Sequence, residues 1–247
     1  MNDRVWIGEV PIDPLTFDEA LDAIDRLVTA REGGTVFTPN VDHVVMADHD
    51  EAFRAAYRDV SLSLVDGMPV LWASRLLGRA LPEKVSGSDL VPRLVERAAS
   101  RGWRVYLLGG AEGSAAIAAR ALESHGVEVA GFSAPRVPVS ASPAAHAELA
   151  DAIAKTEPDL VLVGLGAPKQ ELFATAVRDR LRPAVLLGVG ASIDFLAGAV
   201  PRAPAWVSQN GLEWLYRLGR EPRRLWRRYL LRDPQFFALI LRQLIRR

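Results

Sequence analysis

No cysteine occurs among the 247 residues, which excludes disulfides, thiolate metal sites and a cysteine nucleophile. Long apolar runs are missing as well. No stretch reaches the roughly eighteen uncharged apolar residues of a membrane span, and the start, Met1-Asn-Asp-Arg-Val-Trp-Ile7, lacks the basic end and apolar run of a secretory signal. The expectation is a cytoplasmic protein that does not cross a membrane. Lysine is scarce, with only Lys84, Lys155 and Lys169. No Asp-x-Asp pair sits at a predicted strand end, which argues against a metal held in that way.

What is present is ample core material, 49% hydrophobic residues, and a formal net charge of zero that hides an asymmetry. From Glu213 onward there are ten arginines (217, 220, 223, 224, 227, 228, 232, 242, 246 and 247) against Glu213, Glu221 and Asp233. The preceding part is therefore acidic, at about −7, and the tail basic, at about +7, which points to an appendage with its own electrostatic partner. The division falls between a core over 1–211 and an arginine-rich amphipathic appendage over 212–247.

Apolar runs alternate with helical periodicity throughout. Residues 5–12 read as a short strand or hairpin arm. Thr16 with Glu19 forms a capping box, Thr35 to Thr38 a strand, Val44 to Tyr57 a helix, and Val60 to Val65 a second strand. Ser88 or Asp89 caps the next helix. Further strands are expected at Trp103 to Leu108, Val127 to Phe132, Pro158 to Val163 and Ala184 to Gly190, with helices between. This order predicts an α/β fold with a Rossmann-like, mostly parallel sheet covered by helices on both faces, plus a basic C-terminal helical appendage.

In such a fold the loops after the strands gather at one edge. They are the polar loops here. Thr38, Asn40 and Asp42 follow one strand, where a helix cap and a ligand site account for them equally well. Asp66-Gly67 closes another apolar run; alone it is an ordinary turn dipeptide, yet it places a carboxylate where chemistry is usually found. Gly109-Gly110-x-x-Gly113 has a strand–turn–helix setting that suits a phosphate, without the spacing of a dinucleotide fingerprint. Gly164-Leu-Gly166-Ala-Pro168-Lys169-Gln170-Glu171 joins close backbone approach to groups suited to an anionic ligand. Gly188-Val-Gly190 leads to Asp194. A nicotinamide-dependent oxidoreductase and a non-catalytic, membrane-recruited nucleotide binder are the competing readings; no motif supports nucleic-acid binding.

Taken in order, Thr38-Pro-Asn40 with Asp42-His43, Asp66-Gly67, Ser86-Gly87-Ser88-Asp89, the Gly164–Glu171 loop, Gly188 to Asp194 through Arg202-Ala-Pro204, and Gly211-Leu-Glu-Trp214-Leu-Tyr-Arg217 resemble the WecG/TagA/CpsF glycosyltransferases over nearly the whole chain. The resemblance implies an inverting transferase that moves a sugar of the N-acetylmannosamine type from a UDP-sugar to a sugar on a polyprenyl diphosphate, for a wall or surface polysaccharide. It implies Asp66 as general base, a pocket lined by Thr38, Asn40 and Gln170, and Arg217, Arg224 and Arg227 on the diphosphate. Lys84 stands where relatives carry arginine, keeping the charge without the bidentate fork. Gly109, Gly166, Lys169, Gly190 and Asp194 complete the expected substrate-binding set. The leaving diphosphate needs either a metal or fixed cations, and the sequence favours Lys84, Lys169 and the arginines, so neither metal nor other cofactor is expected. The tail mixes arginines with Trp214, Trp226, Tyr229, Phe236, Phe237 and Ile240, a pattern suited to an anionic membrane surface on the cytoplasmic side. A homo-oligomer is a further expectation from the family.

Overall fold

The computed structural model describes residues 3–201, 203, 207, 212–220 and 222–246. A small antiparallel hairpin, β1 (Val5–Ile7) and β2 (Val10–Ile12), precedes α1 (Phe17–Thr29). Thr16 caps α1 as expected, with Glu19 N–H donating to its hydroxyl at 3.3 Å and Thr16 N–H donating to the Glu19 carboxylate at 2.8 Å. The main sheet holds β3 (Gly34–Phe37), β4 (Leu62–Ser63), β5 (Arg104–Gly109), β6 (Glu128–Ser133), β7 (Leu160–Gly164) and β8 (Val185–Gly188). Its six strands run in the order β4-β3-β8-β7-β5-β6, and every neighbouring pair is parallel.

Alternate residues of the central strands feed two separate cores. Val161, Val163 and Leu186 join α2 (Val41–His49), α3 (Glu51–Arg58), α4 (Met68–Leu76), α7 (Pro143–Ala154) and α8 (Lys169–Leu181) on one face. Leu160, Leu162, Val185 and Leu187 join α1, α5 (Gly87–Arg101), α6 (Ser114–Ser124) and α9 (Ser192–Leu196) on the other. The period-2 alternation of side chains makes one apolar run serve both layers. The doubly covered, parallel α/β architecture is the one the sequence predicts.

Three local expectations need correction. The helix expected from Val44 to Tyr57 is two helices, broken at Asp50. That residue is extended (φ −115°, ψ 112°), and its carboxylate accepts the Phe53 N–H at 3.0 Å, so it caps α3 instead of continuing α2. The strand expected to span Val60 to Val65 is regular only at Leu62–Ser63, flanked by single main-chain bonds from Ser61 N–H to Thr35 O and from Leu64 N–H to Phe37 O. Finally, α5 is capped by Ser86, whose hydroxyl accepts the Asp89 N–H at 3.2 Å, and not by Ser88 or Asp89.

The tail comprises α10 (Glu213–Arg220), α11 (Pro222–Arg227), a π-helical turn (Arg228–Arg232) and α12 (Gln235–Ile245). Phe236, Leu239 and Ile240 sink α12 into the first core. Gln243 accepts from Gly8 N–H at 2.8 Å and donates to Trp6 O at 2.9 Å, which fastens α12 to the hairpin. Among the described residues, no helix is long and apolar enough to cross a membrane.

Candidate active site

Strands β3 and β8 are neighbours, but the chain leaves β3 towards α2 on one face and leaves β8 towards α9 on the other. Between such diverging loops a crevice opens at the carboxyl ends of the strands. Thr38, Asn40, Asp66, Gly166, Lys169, Gln170 and Gly190 all lie in the segments that follow β3, β4, β7 and β8.

Main-chain bonds place Asp66. Leu64 N–H donates to Phe37 O at 2.8 Å and Asp66 N–H donates to Pro39 O at 2.9 Å, so the end of β4 is held against the loop that carries Asn40. Gly67 then takes φ +95°, a backbone that an L side chain rarely adopts, and α4 begins at once. Val85 N–H donates to Val65 O at 2.7 Å, which sets Lys84 on the stretch beside Asp66. Lys84 Nζ lies 3.1 Å from Asp89 Oδ2, the oxygen that also accepts the Ser86 hydroxyl at 2.6 Å.

A buried polar chain joins the β7 and β3 loops. Gln170 Oε1 accepts from Gly190 N–H at 3.1 Å, and its Nε2 donates to Glu171 Oε1 at 2.7 Å. The same oxygen lies 3.2 Å from His43 Nε2, whose ring reaches Asn40 through Nδ1. Asn40 also caps α2, accepting the Asp42 N–H at 3.1 Å. Tyr57 stacks edgewise among Phe37, Phe53 and His43. Burial first, and then the Glu171 carboxylate, push its hydroxyl well above the ordinary value, so it stays protonated.

The tail closes on this chain. Arg228 Nη2 donates to Asn40 Oδ1 at 3.1 Å, and its Nε stands 3.2 Å from Asp42 Oδ2, an ion-pair contact without hydrogen-bond alignment. Arg232 donates to Asp42 Oδ1 at 2.9 Å. Beside them Asp233 carries a buried oxygen, Oδ1, with no hydrogen-bond partner. Burial lifts Asp233 to about 6; Asp42 adds to the rise, while Arg228, Arg232 and His43 oppose it without winning. The folded chain thus binds this proton more tightly than the unfolded chain. The carboxylate therefore costs stability progressively as pH rises from about 4 to about 6, and the full cost remains above that. With a discount for its partial exposure, Asp233→Asn is expected to add on the order of 1 kcal/mol at pH 7.5, about 2–4 °C in Tm, and almost nothing at pH 4. Melting curves of both proteins across that range check it; a gain no smaller at pH 4 than at pH 7.5 contradicts it.

The remaining sequence candidates sort by what surrounds them. A Cβ on Gly166 (φ +74°) or Gly190 (φ +52°) would meet nothing within 4 Å, so at these two positions the bare backbone borders open space. At Gly109 it would strike Gly164 O at 2.5 Å, and at Gly110 Ile193 Cγ2 at 2.9 Å. Packing against β7 thus requires glycine at Gly109 and packing against α9 favours it at Gly110, whereas a Cβ on Gly113 would meet nothing within 4 Å. Asp194 accepts the Ala111 N–H at 2.7 Å, tying the loop after β5 to α9. Arg227 lies with its guanidinium 5.4 Å from the Trp226 ring centre. The side chains of Arg217 and Arg224, like Arg202, Pro204 and Gly211 of the expected motifs, lie outside the described residues. Four residues to which the sequence assigned no role, His43, Glu171, Arg228 and Arg232, make the contacts that join the crevice to the tail. Among the described residues, no group of three or more His, Asp or Glu side chains is disposed to hold a metal ion.

The sequence that builds this crevice has matching relatives. The profile described as "Glycosyl transferase WecG/TagA/CpsF family" matches residues 5–247. An N-acetylglucosaminyldiphosphoundecaprenol N-acetyl-beta-D-mannosaminyltransferase of Bacillus spizizenii strain W23 is 32% identical over 240 residues, covering 94% of this chain and 90% of that protein. A protein of the same name from Bacillus subtilis strain 168 is 30% identical, covering 96% of this chain and 91% of its own length. Coverage so nearly complete, with the strand-end loops falling inside it, means that the chain belongs to the WecG/TagA/CpsF family of glycosyltransferases.

Proposed function

We propose that this glycosyltransferase moves N-acetylmannosamine from a UDP-linked donor to an N-acetylglucosaminyl diphosphate carried on a polyprenol. The activity for which the relatives are named supplies the sugar and the acceptor. The observation that carries the reading to this chain is the main-chain bond from Asp66 N–H to Pro39 O, which fixes this acidic residue beside the Asn40 loop at the crevice. In the reaction an acceptor hydroxyl attacks the anomeric carbon, the bond from that carbon to the diphosphate oxygen breaks, and UDP leaves from the opposite side. Asp66 takes the hydroxyl proton as general base. Thr38, Asn40, Gln170, Gly166 and Gly190 line the donor pocket. Lys84, Lys169 and the arginines Arg217, Arg224 and Arg227 offset the charge developing on the leaving diphosphate, without a metal.

The tail has a second role, contact with an anionic membrane surface in the cytoplasm. While Phe236, Leu239 and Ile240 face inward, Phe237, Leu241 and Ile245 recur every four residues on the opposite side of α12 and remain exposed, at 70%, 58% and 76%. Leu230 and Leu231 are also exposed, and Arg242 and Arg246 border the stripe. Apolar side chains among arginines suit the headgroup boundary of an acidic bilayer. The test is transfer by the full chain from UDP-N-acetylmannosamine to a short-chain lipid-diphosphate N-acetylglucosamine, with EDTA and with liposomes. A disaccharide lipid, formed equally with EDTA, and flotation with acidic but not neutral vesicles are expected. Failure to glycosylate that acceptor overturns the substrate assignment. Activity lost to EDTA and restored by magnesium overturns the fixed-cation reading, and equal flotation without residues 212–247 overturns the role of the tail.

A further inference from the structure

An asparagine or glutamine amide offers a donor at one corner and an acceptor at the other, and it reads a ligand sharply only when its flip is blocked. Both pocket amides here are blocked. Asn40 Oδ1 faces the Asp42 main-chain N–H and Arg228 Nη2, each at 3.1 Å. Those groups can only donate, so that corner must be oxygen and the other the NH2. His43 Nδ1 stands 2.9 Å from Oδ1 and 3.3 Å from Asn40 N. Carrying a proton it donates to the first, and without one it accepts from the second; either way the ring holds Asn40. Gln170 Oε1 faces the Gly190 N–H at 3.1 Å, which fixes its oxygen and sends Nε2 to Glu171. One oxygen, Glu171 Oε1, thus meets Gln170 directly and Asn40 through the imidazole, on a side chain only 1% exposed. A buried carboxylate is costly to keep in a core, and Glu171 Oε2 has no hydrogen-bond partner.

We propose that Glu171 and His43 are positioning residues that hold the side chains of Asn40 and Gln170, whose polarity the Asp42 and Gly190 N–H groups and Arg228 set, so that Asn40 Nδ2 and the second N–H of Gln170 Nε2, not carbonyl oxygens, turn towards the donor. The ligand class this selects is rich in acceptor oxygens, as a nucleoside diphosphate is. The inference rests on the reading that Asn40 and Gln170 line the donor pocket.

The experiment is donor kinetics on the full chain, with UDP and uridine titrations, for Glu171→Gln, His43→Gln, Asn40→Ala and Gln170→Ala, and for Glu171→Gln in the Asn40→Ala/Gln170→Ala background. Glu171→Gln keeps the shape but loses the charge, and His43→Gln tests the same chain should the first variant melt at assay temperature. Each is expected to raise the donor KM about tenfold with a smaller change in kcat, and to weaken UDP more than uridine. In the double-alanine background Glu171→Gln is expected to cost less than about twofold, because the groups it acts through are gone. An unchanged tenfold cost there, or equal weakening of uridine and UDP, overturns the proposal. If Asn40→Ala and Gln170→Ala themselves leave donor KM and UDP affinity untouched, the pocket reading fails, and the proposal with it.

Discussion

Asp66→Asn is expected to lower kcat/KM by about 10²–10⁴-fold while leaving UDP affinity within about twofold of the parent. The substitution keeps the size of the side chain, and main-chain bonds place this stretch, from Asp66 N–H to Pro39 O and from Val85 N–H to Val65 O. The main chain therefore keeps residue 66 in place at the crevice edge. On the reading that Asp66 is the base, what the variant loses is the capacity to take a proton from the attacking hydroxyl, a contribution confined to the transition state. Steady-state kinetics paired with calorimetric titration of UDP separate the two quantities. More than a tenth of the parental kcat/KM in the variant would exclude Asp66 as the base, and a large loss of UDP affinity would move it to the donor side of the reaction.

The second large effect belongs to Asp42. Its carboxylate is 7% exposed and lies between Arg228 and Arg232, which are 26% and 49% exposed. Removing one partner of a fully buried pair costs about 3–5 kcal/mol; with both arginines partly wetted, about 1–3 kcal/mol is the expected loss for Asp42→Ala. Expressed as undocking of the tail, that corresponds to roughly 5–150-fold more open tail. Limited trypsin digestion reports it directly, since the segment is dense in arginine: cleavage within 212–246 is expected to accelerate while the sheet core stays intact. Asp48→Ala supplies the contrast. Its pair with Arg242 is more exposed, at 24% and 55%, and is expected to matter several-fold less. Equal digestion of the two variants would show that Asp42 is not the anchor.

Legibility in the sequence followed the range of the forces involved. The layers could be read because Leu160 to Val163 is apolar at every position, as a strand covered on both faces must be. That Asp66 and Gln170 stand at the carboxyl edge of the sheet could be read because each follows the end of an apolar strand run, whereas the roles proposed for them came from the family resemblance. The helix break at Asp50 was hidden, since the helical pattern continues across it and only the side-chain bond to Phe53 N–H separates the two helices. Glu171 was hidden for a different reason. Its partner His43 lies 128 positions away, and nothing local distinguishes a carboxylate that will be buried from one that will face water. In the tail, spacing does not single out Arg228 and Arg232 among ten arginines. That choice depends on how α12 seats in the core. Gly109 at the end of β5 could not be assigned from sequence to packing or to a ligand, because close backbone packing and close ligand approach select the same residue.

The Gln243 clasp on the β1–β2 hairpin spans 235 positions of chain. Closing so long a loop in an unfolded chain costs entropy that two hydrogen bonds do not return, whereas a formed sheet already brings its ends together. The clasp therefore belongs to the last stage of folding. Until then Phe236, Leu239 and Ile240, which the finished fold buries, stay outside the core, and apolar surface left open in this way favours capture by other molecules over completion of the fold.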